Sequence, residues 1–133
     1  MNEILVPGTI IIFGTKNDAN VQRLFDRLKE FVPSARLLRS YSMGEVESMI
    51  GCFDKTSTIL ILIIHPGNIG DPFMMMKQRG ALNGIRIILV LPEIDDQFMR
   101  EYLKLAPSYI AHLESDFNDV VSVITKMGTR LAN

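Results

Sequence analysis

The sequence predicts an α/β protein built on a doubly wound, five-stranded parallel sheet with helices on both faces. Three observations carry that prediction. Two aliphatic runs, Thr9-Ile-Ile-Ile-Phe13 and Thr58-Ile-Leu-Ile-Leu-Ile-Ile64, show no alternation of polar and apolar residues. Short, continuous and rich in β-branched residues, they read as strands buried on both faces, and they are too short to span a membrane. Such strands alternate along the chain with segments whose apolar residues recur at helical spacing. The turns between them carry helix-capping residues where a strand would hand over to a helix.

At 133 residues the chain is long enough for one domain with a real core. Its 47% hydrophobic and 22% charged residues describe a globular protein, not a disordered one. A net charge of -1 gives no electrostatic case for nucleic acid or an anionic membrane as partner. Cys52 is the one cysteine, so an internal disulfide and a cysteine-based metal cluster are excluded and an intracellular setting is expected. The first residues, Met-Asn-Glu-Ile-Leu-Val-Pro, hold no basic n-region or cleavage site, so no export signal is read and a cytoplasmic location is expected. No linker, repeat or low-complexity stretch divides the chain.

After the first strand, Gly14-Thr-Lys-Asn-Asp18 turns into a helix with Asp18 or Asn17 as N-cap. Val21, Leu24, Phe25, Leu28, Phe31 and Val32 give it one apolar face, and Pro33 stops it. Arg36–Ser40, flanked by charge, suits an edge strand. Ser42-Met-Gly-Glu45 is a capping-box pattern opening a helix with Val46, Met49, Ile50 and Phe53 on one side. Beyond the second aliphatic run, Asp71-Pro72 would start a third helix through Met74, Met75 and Met76, with Asn83-Gly84 as its stop. The next strand is Ile85–Leu91. A fourth helix follows, with Phe98, Tyr102 and Leu105 spaced to face inward, and Pro107 ends it. Ser108–Leu113 is the fifth strand, and Asp116 caps a last helix bearing Phe117, Val120, Val121, Ile124 and Met127.

Parallel crossovers need a helix each and take one hand, so the expected strand order at this size is the flavodoxin-like 2-1-3-4-5. The strands starting at Thr9 and Thr58 then adjoin, and any small-ligand site should use the loops Gly14–Asp18 and His65–Asp71. Lys16, Asp18 and His65 are the candidate anion or ligand edge there. A Walker pattern, a Gly-x-Gly-x-x-Gly fingerprint and a hydroxyl-rich flavin-phosphate loop are all missing, so Lys16 reads as a solvated turn lysine. His65 and His112, without a paired Asp or Cys, read as ordinary strand-end histidines and not as a phosphohistidine or metal pair. Met74–Met76 cannot all face one core; a surface methionine patch could serve an adaptable interface, but the favoured reading is one or two buried and one covered by a neighbouring loop. Glu93, Asp95 and Asp96 read as acids complementing a helix N-terminus.

Three local stretches stand out on this pattern of elements: the loop Pro66-Gly-Asn-Ile-Gly70 after the third strand, Asn20-Val-Gln-Arg-Leu24 at the start of the first helix, and Tyr109 near the start of the fifth strand. In this order they resemble the Pro-Gly-x-Asp-Gly loop, first-helix start and fifth-strand aromatic of a response-regulator receiver (CheY-like) domain, a resemblance that covers nearly the whole chain with a core at about residues 8–128. The resemblance puts Leu62 at the phosphoacceptor position and Lys16 and Asn17 at the acidic pair that holds magnesium. It puts Leu91 or Val90 at the hydroxyl residue, and His112 at the lysine, with Leu113 in place of the following proline.

Leucine has no nucleophilic oxygen, and a lysine repels magnesium where a carboxylate would bind it. The resemblance therefore implies a degenerate receiver, a pseudo-receiver: a non-enzymatic signalling module that needs no cofactor or metal. It would work through a protein partner or a homodimer, on a face around Arg100, Tyr102, Lys104, Tyr109, Asn118 and Ser122. The alternative is a small anion- or nucleotide-binding sensor or enzyme using the loops after the first and third strands.

Overall fold

The computed structural model describes residues 8–68 and 79–131. Five parallel strands form one sheet in the order β2-β1-β3-β4-β5. They are β1 (Thr9–Phe13), β2 (Arg36–Ser40), β3 (Thr58–Ile63), β4 (Arg86–Leu91) and β5 (Tyr109–His112). The helices are α1 (Ala19–Phe31), α2 (Met43–Ile50), α3 (Arg79–Leu82), α4 (Asp96–Leu103) and α5 (Asn118–Leu131). The expected flavodoxin-like α/β architecture is the observed one.

Every residue of β3 is buried, as its unbroken aliphatic run requires for the middle of a covered sheet. The pleat then splits the core in two. Ile10, Ile12, Ile59, Ile61, Ile88 and Val90 pack with Leu24 and Leu28 of α1 and Val120 and Ile124 of α5. Ile11, Leu60, Leu62, Leu89 and Leu91 pack with Val46 of α2, Leu82 of α3 and Tyr102 of α4 on the other face. Side chains alternate across each strand, so layers on both faces of the sheet are needed to cover them.

The local signals hold where backbone chemistry sets them. Asp18 caps α1, accepting from the Asn20 N–H at 2.9 Å. Ser42 caps α2 by accepting from the Glu45 N–H. The carboxylate of Glu45 accepts from the Tyr41 N–H and the Ser42 hydroxyl, a variant of the expected box. Gly84, at φ 87, ends the chain's third helix with the positive φ that glycine takes without strain. The expected start of that helix at Asp71-Pro72, with the methionines Met74–Met76, lies outside the described residues.

Three expectations need correction. Phe31 is 51% exposed, not part of the apolar face of α1: the helix ends there, Val32 takes the core place, and Arg27 lies over the Phe31 ring at 4.9 Å. Asp116 does accept from the Asn118 N–H at 3.0 Å, but Phe117 stands between them at φ 66, so the carboxylate sits one residue outside the usual cap. Tyr102 is fully buried under the sheet, so it belongs to no exposed partner face. Its spacing with Phe98 and Leu105 already turned it inward.

Candidate functional site

The carboxyl ends of the strands gather the loops that could do chemistry, as in open α/β sheets generally. After β1, the Gly14 N–H donates to Ser40 O at 3.1 Å, tying the turn to the end of β2. A Cβ at Gly14 would collide with the Val21 side chain, so glycine is what lets α1 pack this close to the strand end. Asn17 adopts φ 66, a left-handed turn residue that asparagine tolerates. Lys16 and Asn17 point to solvent, and Asp18 is half-buried.

After β3, the Ile64 N–H continues the ladder by donating to Val90 O at 2.9 Å. His65 is exposed, and its Nδ1 accepts from the Gly67 N–H at 3.0 Å. This nitrogen is thus an acceptor closing a tight Pro66–Asn68 turn, which places the ring proton on Nε2. Leu62 is fully buried, paired across β1 and β4 with Phe13 and Leu89.

After β4, Asp95 caps α4 by accepting from the Phe98 N–H at 2.9 Å, with Asp96 in the first turn, as the capping reading expects. His112 is exposed at the end of β5 beside buried Leu91. Strand β4 lies between β3 and β5, so His65 and His112 are not neighbours.

The β5–α5 loop is held from an element remote in sequence. Arg23 of α1 donates to Ser115 O at 2.7 Å and Leu113 O at 3.0 Å, and its guanidinium lies 4.4 Å from the Phe117 ring centroid. Tyr109 donates its hydroxyl to Asp119 Oδ2 at 2.8 Å. That hydrogen bond to a carboxylate, with burial and the negative charge beside it, holds the phenol's pKa above 10. Sequence reasoning assigned neither contact. The 3-residue spacing of Asn20 and Arg23, which bond each other at 2.9 Å, was the only local hint of the first.

The remaining face residues divide between two helices. Arg100 is exposed on α4 and Lys104 at its C-cap, where Lys104 pairs with Glu101 at 3.1 Å. Asn118 and Ser122 are exposed on α5, and half-buried Tyr109 faces the α1/α5 layer. Among the described residues, no group of three His, Cys, Asp or Glu is placed to hold a metal ion, and no helix is long and apolar enough to cross a membrane. A cavity of about 220 Å³ opens between the loops after β1 and β2, lined by Thr15, Asn17, Asp18, Gln22, Arg39 and Tyr41 among others. Neither Lys16 nor His65 lines it.

No protein-family model matches the chain, and no curated protein matches its sequence. Solved structures do resemble it. A lysine decarboxylase of Francisella novicida, LdcF, matches with a TM-score of 0.62 at 10% identity, over 98% of this chain and 18% of the decarboxylase. A pilus assembly-related protein of Burkholderia pseudomallei matches with a TM-score of 0.59 at 12% identity, over 96% of both chains. The chain thus spans under a fifth of the decarboxylase and nearly all of the pilus assembly-related protein. At these identities the likeness is one of fold: a flavodoxin-like α/β domain with an all-parallel sheet in the order 2-1-3-4-5.

Proposed function

We propose that this chain is a non-catalytic signal-transduction module, a degenerate receiver that acts by binding a protein partner and not by aspartate phosphorylation. The observation that carries the reading is Leu62. Where the receiver resemblance calls for a nucleophilic carboxylate at the strand edge, the chain has an aliphatic side chain with no exposed surface. The loop beside it holds exposed Lys16 and Asn17 where an acidic pair would bind magnesium. His65 spends Nδ1 on a turn.

Acetyl phosphate, or beryllofluoride with magnesium, tests it. The expected result is no phosphoryl adduct by mass spectrometry and no magnesium-dependent change in the amide spectrum. A stoichiometric acyl-phosphate would end the reading.

The cavity after β1 and β2 favours a second reading, a small anion or nucleotide sensor. It is lined by Arg39, whose guanidinium also donates to Gln22 Oε1 at 2.8 Å, and by the first residues of α1. Helix N-termini are places where anions bind in other proteins. Thermal melts against phosphates, nucleotides and flavins separate the two readings, because a ligand bound only by the folded state raises Tm. The Asp18 carboxylate in the same cavity opposes an anion, which keeps this reading second.

A further inference from the structure

A larger cavity, of about 370 Å³, lies between the β4–α4 loop and β5. Its floor is apolar: Leu91, Ile94, Met99, Ile110 and Leu113. Exposed Glu93, Glu114 and His112 stand at its rim. The volume lies within the range of ligand pockets, which are likewise lined by apolar side chains with a few polar groups.

We propose that this groove receives an extended basic and apolar segment of a partner protein, with an apolar side chain on the floor and flanking Lys or Arg side chains against Glu93 and Glu114. The inference rests on the interaction-module reading and names the site and the partner's chemistry. Charge complementarity selects the occupant. No lysine or arginine occurs between Pro92 and Met99, or between Leu105 and Thr125, while six carboxylates fall in those two stretches.

Of these acids, Asp95 caps α4, Asp116 accepts from Asn118, and Asp119 accepts from Tyr109. Glu93 and Glu114 have no ion-pair partner among the described residues. The cation that reaches this loop, Arg23, is occupied by two carbonyls, Asn20 and the Phe117 ring on the α1 side. An apolar floor between two free carboxylates repels an acidic segment and leaves a purely basic one without its anchor.

The strand geometry selects an extended occupant. Among the described strands β5 is an outer strand, paired only with β4. Ile110 and His112, two residues apart on β5, both line the groove, while Ala111 between them packs into the opposite layer. A segment laid along β5 would likewise send every second side chain toward the groove.

Amide spectra of the labelled full chain test this with three acetylated, amidated heptapeptides that alternate Arg with Leu, Glu with Leu, and Arg with Ser. The Arg/Leu peptide should shift Ile94, Met99, Ile110, His112 and Leu113, and the double variant Glu93→Lys, Glu114→Lys should weaken it at least tenfold while shifts elsewhere stay unchanged. Equal binding of the Glu/Leu or Arg/Ser peptide, perturbation centred elsewhere, or no perturbation overturns the groove. So does binding of free arginine amide as tight as the peptide, which would make this a small-cation site.

A photo-crosslinking residue in place of Ile94 or, separately, Arg36, introduced in the protein's native cells, tells the two ideas apart. Crosslinks from position 36 alone overturn the groove and leave the interaction module standing. A crosslink from position 94 to a second copy of this chain overturns the separate partner. No crosslink from either of these, or from positions 100 and 122, overturns the module itself.

Discussion

The two halves of the carboxyl edge are built by different means. The half after β1 and β3 is held by its own backbone. Gly14 admits Val21, Asp18 caps α1, and His65 accepts the N–H of Gly67 two residues on. In the half after β4 and β5, Asp95 caps α4 locally, but the β5–α5 loop is held by side chains from elsewhere. Arg23 crosses from α1 to carbonyls 90 and 92 residues away, and Tyr109 reaches Asp119 on α5. The first half has fully buried Leu62 at its strand edge; the second leaves an apolar groove open. A loop set by local geometry keeps its shape when its chemistry changes, whereas a loop set by distant partners can be reshaped by one of them.

Leu62→Asp breaks the first half most severely. Placing a carboxylate at this position would bury a charge in an apolar layer with Phe13, Leu60 and Leu89 around it. The expected cost is about 4 kcal/mol or more, read as the shift in the urea midpoint. Retention of wild-type stability would mean that the position opens to solvent, and with it the strand-edge chemistry that the Leu62 burial argues against.

Gly14→Ala probes the same half through the backbone. The added Cβ meets the Val21 side chain, so α1 must shift or Val21 must change rotamer, at about 1–3 kcal/mol. The companion change Val21→Ala removes the obstacle. If close approach is what Gly14 provides, the double variant should lose less than the sum of the two single variants, by a double-mutant cycle.

Arg23→Ala tests the second half. It removes two donated bonds to carbonyls and the stack on Phe117 from a largely exposed side chain, for an expected loss of about 1–2 kcal/mol. Amide exchange should quicken in residues 113–117 and stay unchanged at the turn after β3. Arg23→Lys should recover little, because a single ammonium cannot reproduce the planar fork that spans both carbonyls.

The same contrast explains what could be read from the sequence. The sheet was legible because Thr9–Phe13 and Thr58–Ile63 carry their burial in continuous apolar runs, and the order followed from parallel crossovers. The caps at Asp18, Ser42 and Asp95 were legible because each acts within three residues. Phe31 was misread because helical periodicity does not say where the last turn ends; Val32, expected on the same face, is buried there. Tyr102 was assigned both to the core and to a surface face; its helical spacing was the better guide. Arg23, the Tyr109–Asp119 pair and the groove were not legible, since each depends on how elements far apart in the chain meet.

Tyr109→Phe is the mildest perturbation of the second half and the one with a pH signature. The neutral phenol donates to the Asp119 carboxylate, and a phenolate there would face a like charge, which is why folding raises the tyrosine's pKa above its ordinary 10.0. A group raised on folding contributes stability that is fully present below its unfolded pKa and is lost as pH climbs through the folded value. The wild-type urea midpoint should therefore fall above about pH 10 for this reason. Phenylalanine should lose about 1 kcal/mol at neutral pH and show a smaller fall in the alkaline range, since it has no proton to release. Parallel alkaline profiles for the two proteins would mean that the Asp119 contact does not bias folding, and the β5–α5 side would then rest on Arg23 alone.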